Sequence, residues 1–466
     1  MKPAGRGDAE RQAGKPSLRQ QRSTESTGSA NECVKRTETK RKAKYPVSTE
    51  NLVEAMVERG NMIKAYDRVM SNKGASGIDG METKELKEYL VAKWAEIKKE
   101  LLEGAYKPKP VRRVEIPKPN GGMRKLGIPT VVDRLIQQAV HQILEPVFEP
   151  TFSENSYGFR KGRGAHDAVR ASKQYVREGR KYVVDTDIKK FFDEVNHEIL
   201  LKKIRAKVMD KRIISLIKAY LTAGVMSGNI VEPSEKGTPQ GGPLSPLLSN
   251  IMLDDLDKEL EKRGHKFARY ADDCNIYVRS KRAGERVYAS ISNFLEKKLR
   301  LKVNTEKSSV DFVSRRKFLG YTILAGKEPR ISVAKESVKR LRCKLKEIFR
   351  TKKYLRMESL IEELNKITIG WIEYFKLAET KQFAEELDGW IRRRLRRKVW
   401  KDWKNPLTRA RNLKKLGLGE KQAYESGCNG RGNWWNAGAK HMNIAFPNKT
   451  FNEMKLVSLS MRLTVA

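Results

Sequence analysis

The sequence predicts an α+β fold, with strands confined to roughly the first 330 of its 466 residues and an almost purely helical remainder. Two stretches predict the sheet. KYVVDTDI (181–188) and KFARYADDCNIYVRS (266–280) are short runs rich in β-branched and aromatic residues, and both carry carboxylates. A third observation predicts the helical part: beyond Ala334, apolar residues recur at helical spacing.

The length is that of about three domains. The formal net charge is +40, which suits a polyanionic partner, nucleic acid above all. An anionic membrane is the competing surface, but no amphipathic basic helix stands apart from an evident folded core. No run approaches the ~18 apolar residues of a membrane span, and the N-terminus lacks the apolar core of a secretory signal. Cys33, Cys274, Cys343 and Cys428 are scattered without a CxxC pair. That spacing argues against a disulfide framework or zinc finger and for a reducing, cytoplasmic setting, with the nucleoid as an alternative address.

Residues 1–45 are polar and basic without apolar periodicity, the composition of a disordered leader. From Thr49, Leu52, Met56, Ile63, Tyr66 and Val69 predict two short helices broken near Gly60, and a further helix is predicted over 83–102. VRRVEIPKPNGGMRKLGIP (111–129) predicts a hairpin turning at PNGG. It carries Arg112, Arg113, Lys118, Arg124 and Lys125 and reads either as a triphosphate clamp or as a solvated edge. A helix over 132–147 follows. NSYGFRKGRGAHDAVR then predicts a Gly-rich loop entering a helix near His166, with Arg160 or Arg163 as phosphate contacts.

In KYVVDTDI, Val183 and Val184 point to opposite faces, whereas Asp185 and Asp187 share one. A carboxylate at the end of a core strand is costly unless paired or metal-bound. FFDEVNH follows, where Phe191 and Phe192 read as core unless a ligand claims them. The PQGGP loop (239–243) opens an amphipathic helix that Gly264 closes. KFARYADDCNIYVRS then predicts a hairpin with Asp272 and Asp273 at its tip. Adjacent carboxylates repel and raise each other's pKa. Alone, such a pair reads as a solvated turn before it reads as a metal site, but Mg²⁺ takes hard oxygen ligands of this kind. Leu360, Leu364, Ile367, Trp371 and Tyr374 form one helical stripe and Phe383, Leu387, Ile391, Leu395 and Val399 another. Arg392, Arg393, Arg394, Arg396, Arg397 and Lys398 are assigned to a basic face of the second helix, the candidate RNA-binding surface. From about Pro406 the chain is Gly- and Asn-rich, with Trp434 and Trp435.

Three carboxylates on two strands suit two Mg²⁺ ions, which activate a primer 3′-hydroxyl and stabilise the leaving pyrophosphate in nucleotidyl transfer.

YGFRKGRGAHDAV, VDTDIKKFFDEVNH, GTPQGGPLSPLLSNIMLDDLDKELEKRG and RYADDCNIYV together resemble successive motifs of bacterial group II intron-encoded reverse transcriptases. GWIEYF and LDGWIRRRLRRKVWKDWK resemble the maturase, or X, domain of that family. The resemblance covers roughly residues 50–466. It implies a right-hand polymerase: fingers and palm over 50–330, an α-helical thumb (maturase X domain) over 331–404, and a small C-terminal DNA-binding region over 405–466. It implies that Asp187, Asp272 and Asp273 are the metal-binding catalytic carboxylates and that Asp185 lies outside the triad. Phe192 occupies the place of the aromatic that excludes a 2′-hydroxyl. Lys118 and Arg124 occupy those of triphosphate-gripping residues, and Gln240 lies beside the templating pair. Ala271 is the usual small residue before the aspartates. Lys161 departs from the family's proline, and no Cys- and His-bearing HNH module is evident, as in the class C members.

The implied function is RNA-directed DNA synthesis from dNTPs with two Mg²⁺ ions. It is joined to binding of the group II intron RNA in splicing and to target-primed copying on DNA in retrohoming. No protein partner is identifiable and none of these roles needs a membrane. The rivals are a splicing-only RNA-binding maturase, against which the intact aspartates argue, and a reverse transcriptase of a retron or diversity-generating element, against which the long basic bundle argues.

Overall fold

Val183 and Val184 are both buried, on opposite faces of one strand, because helices cover both sides of the sheet that contains it. In the computed structural model, which describes residues 49–117, 122–227, 230–232 and 234–463, the first α-helices of the described residues are three. These are α1 (Leu52–Val57), α2 (Arg59–Asn72) and α3 (Leu86–Glu103). The break between the first two is at Glu58, whose carboxylate accepts from the Gly60 and Asn61 amides at 2.9 and 3.0 Å. The leader 1–45, Lys118 and most of the PNGG turn lie outside the described residues.

The basic hairpin forms as β1 (Val111–Pro117) and β2 (Met123–Ile128). It extends into a four-stranded sheet of order β2-β1-β4-β5, because β4 (Val225–Ser227) joins β1 in parallel and pairs with β5 (Ile230–Glu232). After the hairpin comes α4 (Val131–Phe148), started by the Thr130 hydroxyl, which accepts from the Asp133 amide at 3.1 Å. Next come α5 (Ala165–Arg177), β3 (Tyr182–Asp187), a one-turn helix Phe191–Glu194, α6 (His197–Arg205), α7 (Lys211–Thr222) and α8 (Ser245–Lys262).

The second sheet has order β6-β7-β3-β8 and is antiparallel throughout, with β6 (Lys266–Tyr270), β7 (Asp273–Val278) and β8 (Ser309–Phe312). On one face Val183, Ala268 and Tyr277 pack with Ala168, Val169 and Val176 of α5. On the other Val184, Phe267 and Ile276 pack with Ile291 and Leu295 of α9 (Lys281–Lys298). Gly284 lets α9 lie close: a Cβ there would come within 2.4 Å of the Val310 side chain.

A two-stranded ribbon, β9 (Tyr321–Leu324) and β10 (Arg330–Val333), leads into α10 (Lys335–Thr351), α11 (Met357–Phe375) and α12 (Gln382–Asp402). The predicted stripe on α11 holds at Leu360 and Leu364. Toward the helix's end it rotates to Ile372 and Phe375, leaving Tyr374 partly exposed. Phe451, Leu459 and Leu463 join the same core as Leu341, Leu364, Leu387, Ile391 and Leu395, so residues after 405 close the bundle. Asp388, buried in α12, accepts from the Leu459 and Ser460 amides at 2.9 and 3.0 Å and from the hydroxyls of Ser458 and Ser460 at 2.7 Å each. Among the described residues, no helix is long and apolar enough to cross a membrane.

Candidate active site and nucleic-acid surface

The register of the second sheet sets Asp187 of β3 directly opposite Asp273 of β7, on one face. The hairpin β6–β7 turns through two residues, Ala271 and Asp272, because Tyr270 pairs with Asp273. Ala271 has φ +59°, a left-handed conformation uncommon for a residue with a Cβ. Like charges opposite one another destabilise a sheet, and their environments differ. Burial, then Asp185, Asp272 and Asp187, push the Asp273 carboxyl up to about 8. Burial, with the charge of Asp187, raises Asp272. Asp187 accepts from Asn304 Nδ2 at 3.0 Å and lies 3.5 Å from Lys307 Nζ.

Asp185 is raised chiefly by burial, against hydrogen bonds from Arg316, whose Nε donates at 3.0 Å. That arginine pairs with its charge, although Asp185 remains the carboxylate that acts most strongly on Asp273. Among the described residues, no group of three or more Asp, Glu, His or Cys side chains is placed to hold a metal ion as it stands. The donor set still fits one: the groups are hard oxygens, and Asp272 and Asp273, raised by burial first and by neighbouring carboxylates second, are groups that a cation would return to the charged form.

A cleft of about 460 Å³ has Arg113, Lys125, Lys190, Phe192, Lys236 and Gln240 in its lining, and none of the three carboxylates lines it. The Phe192 ring meets Phe191 edge-on at 5.2 Å, and its carbonyl accepts from the Thr238 amide at 2.6 Å. The Gln240 carbonyl accepts from the Gly127 amide at 2.8 Å, so the PQGGP loop is tied to β2. Arg124 is exposed on β2, and its charge favours the ionised form of Asp272. Lys118 lies outside the described residues. Lys190 and Lys236 escaped the sequence reading. Lys190 directly precedes Phe191 and adopts φ +46°, but nothing in the local pattern set it apart from other surface lysines.

Two further expectations change. Arg160, expected at a phosphate, is buried: it pairs with Glu149 at 2.8 Å and donates to the Ser156 carbonyl at 2.8 Å. Arg163 turns inward to Glu154, donating to its carbonyl at 2.7 Å. These side chains shape the loop from within.

The basic residues of α12 also divide. Arg396 is buried, donates to the Phe446 carbonyl at 2.9 Å and lies 5.4 Å from the Phe451 ring centre. Arg393 lies over Trp434 at 4.3 Å and donates to its carbonyl at 2.9 Å. Lys398 pairs with Asp402 at 2.7 Å. Arg392 is half-buried. Arg394, Arg397 and Lys398 line a cleft of about 730 Å³ with Lys346, Arg350, Lys353 and Lys401. At its rim Tyr354 is 86% exposed, which leaves a ring face open to solvent.

Residues 116–323 match the family model described as reverse transcriptase (RNA-dependent DNA polymerase). Residues 338–417 match the group II intron, maturase-specific domain. Protein YkfC of Escherichia coli is 33% identical over 286 residues, which cover 53% of this chain and 75% of YkfC. The group II intron-encoded protein LtrA of Lactococcus lactis subsp. cremoris is 41% identical over 213 residues, covering 44% of this chain and 34% of LtrA. A putative COX1/OXI3 intron 1 protein of Saccharomyces cerevisiae is 30% identical over 272 residues, covering 55% of this chain and 30% of the yeast protein. The match thus takes in three quarters of YkfC but only about a third of the length of the latter two.

Proposed function

Because the chain belongs to the family of group II intron-encoded reverse transcriptases and maturases, we propose that it copies RNA into DNA at Asp187, Asp272 and Asp273 and grips its intron RNA through its helical part. The observation that carries the reading is the register that sets Asp187 against Asp273, and a basic cleft containing Phe192 and Gln240 supports it.

The three carboxylates would hold two Mg²⁺ ions, whose chemistry is to favour deprotonation of a primer 3′-hydroxyl and to balance charge on the leaving pyrophosphate. The protein's own groups do the rest. Arg113, Arg124, Lys125 and Lys190 supply positive charge for the triphosphate of a dNTP, with Lys118 assigned to the same task. Phe192 presents a flat apolar surface to the sugar and leaves no room for a 2′-hydroxyl. Gln240, on a loop fixed to β2, borders the templating base. Arg394, Arg397 and the lysines of the second cleft meet intron RNA. Lys398 belongs to that surface, Arg392 flanks it, and Arg393 and Arg396 support it from behind.

In this reading fingers and palm span 50–330, the thumb or X domain 331–404, and residues 405–466 add contacts to target DNA while completing the thumb. Splicing assistance and target-primed copying in retrohoming follow, in the cytoplasm and on the nucleoid. A splicing-only maturase is the rival, and it gives no reason to bury Asp272 and Asp273 at the cost of raised pKa values.

The test is extension of a DNA primer on an RNA template. Asp272→Asn removes one ligand charge and little surface. It is expected to lower kcat by about a hundredfold or more, the scale of removing one electrostatic interaction with the transition state, while intron RNA binding persists. Near-normal extension by Asp272→Asn refutes the assignment of the site.

A further inference from the structure

The one fully buried arginine in the described core is in the strand that leads to the catalytic turn. Arg269 is 0% exposed, and so is its partner Asp257 on α8. A guanidinium has five N–H donors, and each has a partner here. Nε and one Nη2 hydrogen bond the two Asp257 carboxylate oxygens at 2.7 and 2.6 Å. The other Nη2 hydrogen goes to Ser156 Oγ at 2.7 Å. Nη1 donates to Asn250 Oδ1 at 3.0 Å and to the Ala271 carbonyl at 2.8 Å.

The last of these bonds reaches into the turn itself. Ala271 is the left-handed residue, and its carbonyl belongs to the peptide that carries Asp272. Beneath the turn lies Gly158, where a Cβ would come within 2.4 Å of the Ala271 nitrogen. Asn250, also buried, completes the ring: its Nδ2 donates to the Gly158 carbonyl at 2.9 Å while its Oδ1 receives Arg269. An ordinary buried ion pair would stop at Asp257. This one extends through a neutral relay to both sides of the turn.

We propose that Arg269 is a positioning residue for polymerisation: with Asp257 and Asn250 it clamps the Ala271 carbonyl and so fixes Asp272 and Asp273 against Asp187. The proposal rests on the polymerase reading. Arg269 touches no substrate. Its effect is carried by the peptide between Ala271 and Asp272, where a small displacement of reacting groups is costly in rate.

The experiment measures primer extension on an RNA template at steady state for wild type, Arg269→Lys and Asn250→Ala, with thermal melting by circular dichroism. Lysine keeps the charge opposite Asp257 but has three donors on one nitrogen and cannot hold the carboxylate and the Ala271 carbonyl in a planar fork. Asn250→Ala leaves the ion pair whole and removes only the relay, so it protects the test against loss of fold. At temperatures where each is folded, kcat is expected to fall about a hundredfold in Arg269→Lys and about tenfold in Asn250→Ala, with KM for dNTP within about threefold of wild type, the signature of weakened transition-state stabilisation. The Mg²⁺ concentration for half-maximal rate is expected to rise in both. A lowered melting temperature with unchanged kcat and Mg²⁺ dependence in the folded variants would mean that the network only stabilises the core, and loss of fold in both variants would likewise overturn a specific clamp. Absence of extension by the wild-type protein itself would instead refute the polymerase reading.

Discussion

At Asp273, burial and neighbouring carboxylates push the acid up to about 8, while Asp187, opposite it, has the Asn304 amide and the Lys307 ammonium as partners. The consequence for stability has a definite sign. A carboxyl whose folded pKa exceeds its unfolded value binds its proton more tightly when folded. Between the unfolded value near 4 and the folded value of about 8, the native state therefore holds more protons than the unfolded one, and stability falls as pH rises. Metal-free protein is expected to melt at a lower temperature at pH 8 than at pH 5, and Asp273→Asn is expected to flatten that dependence. Added Mg²⁺ is expected to restore stability at pH 8 in wild type by binding the ionised native state. Melting curves across pH for both proteins, with and without Mg²⁺, check this; equal slopes in the metal-free pair would refute it.

Helix α12 shows how far one element was readable from its sequence. Its apolar stripe at Leu387, Ile391 and Leu395 was legible from spacing alone, and all three are buried. The division of its arginines was not. Phe446, Phe451 and Trp434, which engage Arg396 and Arg393, come much later in the chain and have no periodic relation to the helix. The same limit applies to the sheets. The carboxylate hairpin was legible because both its strands are contiguous, whereas the parallel pairing of β1 with β4 and the register of Asp187 on Asp273 join segments far apart in sequence. Arg269 gave a faint signal, a charge between apolar neighbours, with no indication of its partners. For α12 the prediction divides accordingly. Replacing Arg394 and Arg397 with Gln is expected to weaken intron RNA binding and make the salt slope shallower by about 0.7–0.9 for each phosphate that is no longer neutralised. Arg396→Gln is expected to lower the melting temperature by undoing the hydrogen bond to Phe446, while Arg394 and Arg397 still reach RNA. Filter binding across salt concentrations separates the two, and an unchanged slope in the double variant excludes these arginines from the RNA surface.

For the molecule as a whole, the helical bundle is not finished within its three long helices. Phe451 and Leu459 are fully buried in the core of α10–α12, and Asp388 fastens Ser458, Leu459 and Ser460 to α12. Leu459→Ala is expected to destabilise this core by ~2–5 kcal/mol, the range for a buried leucine cut to alanine. Hydrogen exchange should then show α11 and α12 opening together while β3, β6 and β7 keep their protection. Loss of protection in the sheet as well would show that the two parts unfold as one. The position of this brace also orders events during synthesis. Chains emerge N-terminal end first and domains fold largely as they appear, so the palm strands and the arginines of α12 leave the ribosome before residues 451–463 that hold α12 in place. On a nascent chain the carboxylate site can assemble early, whereas the α12 surface proposed to meet RNA matures only after residues 451–463 have emerged.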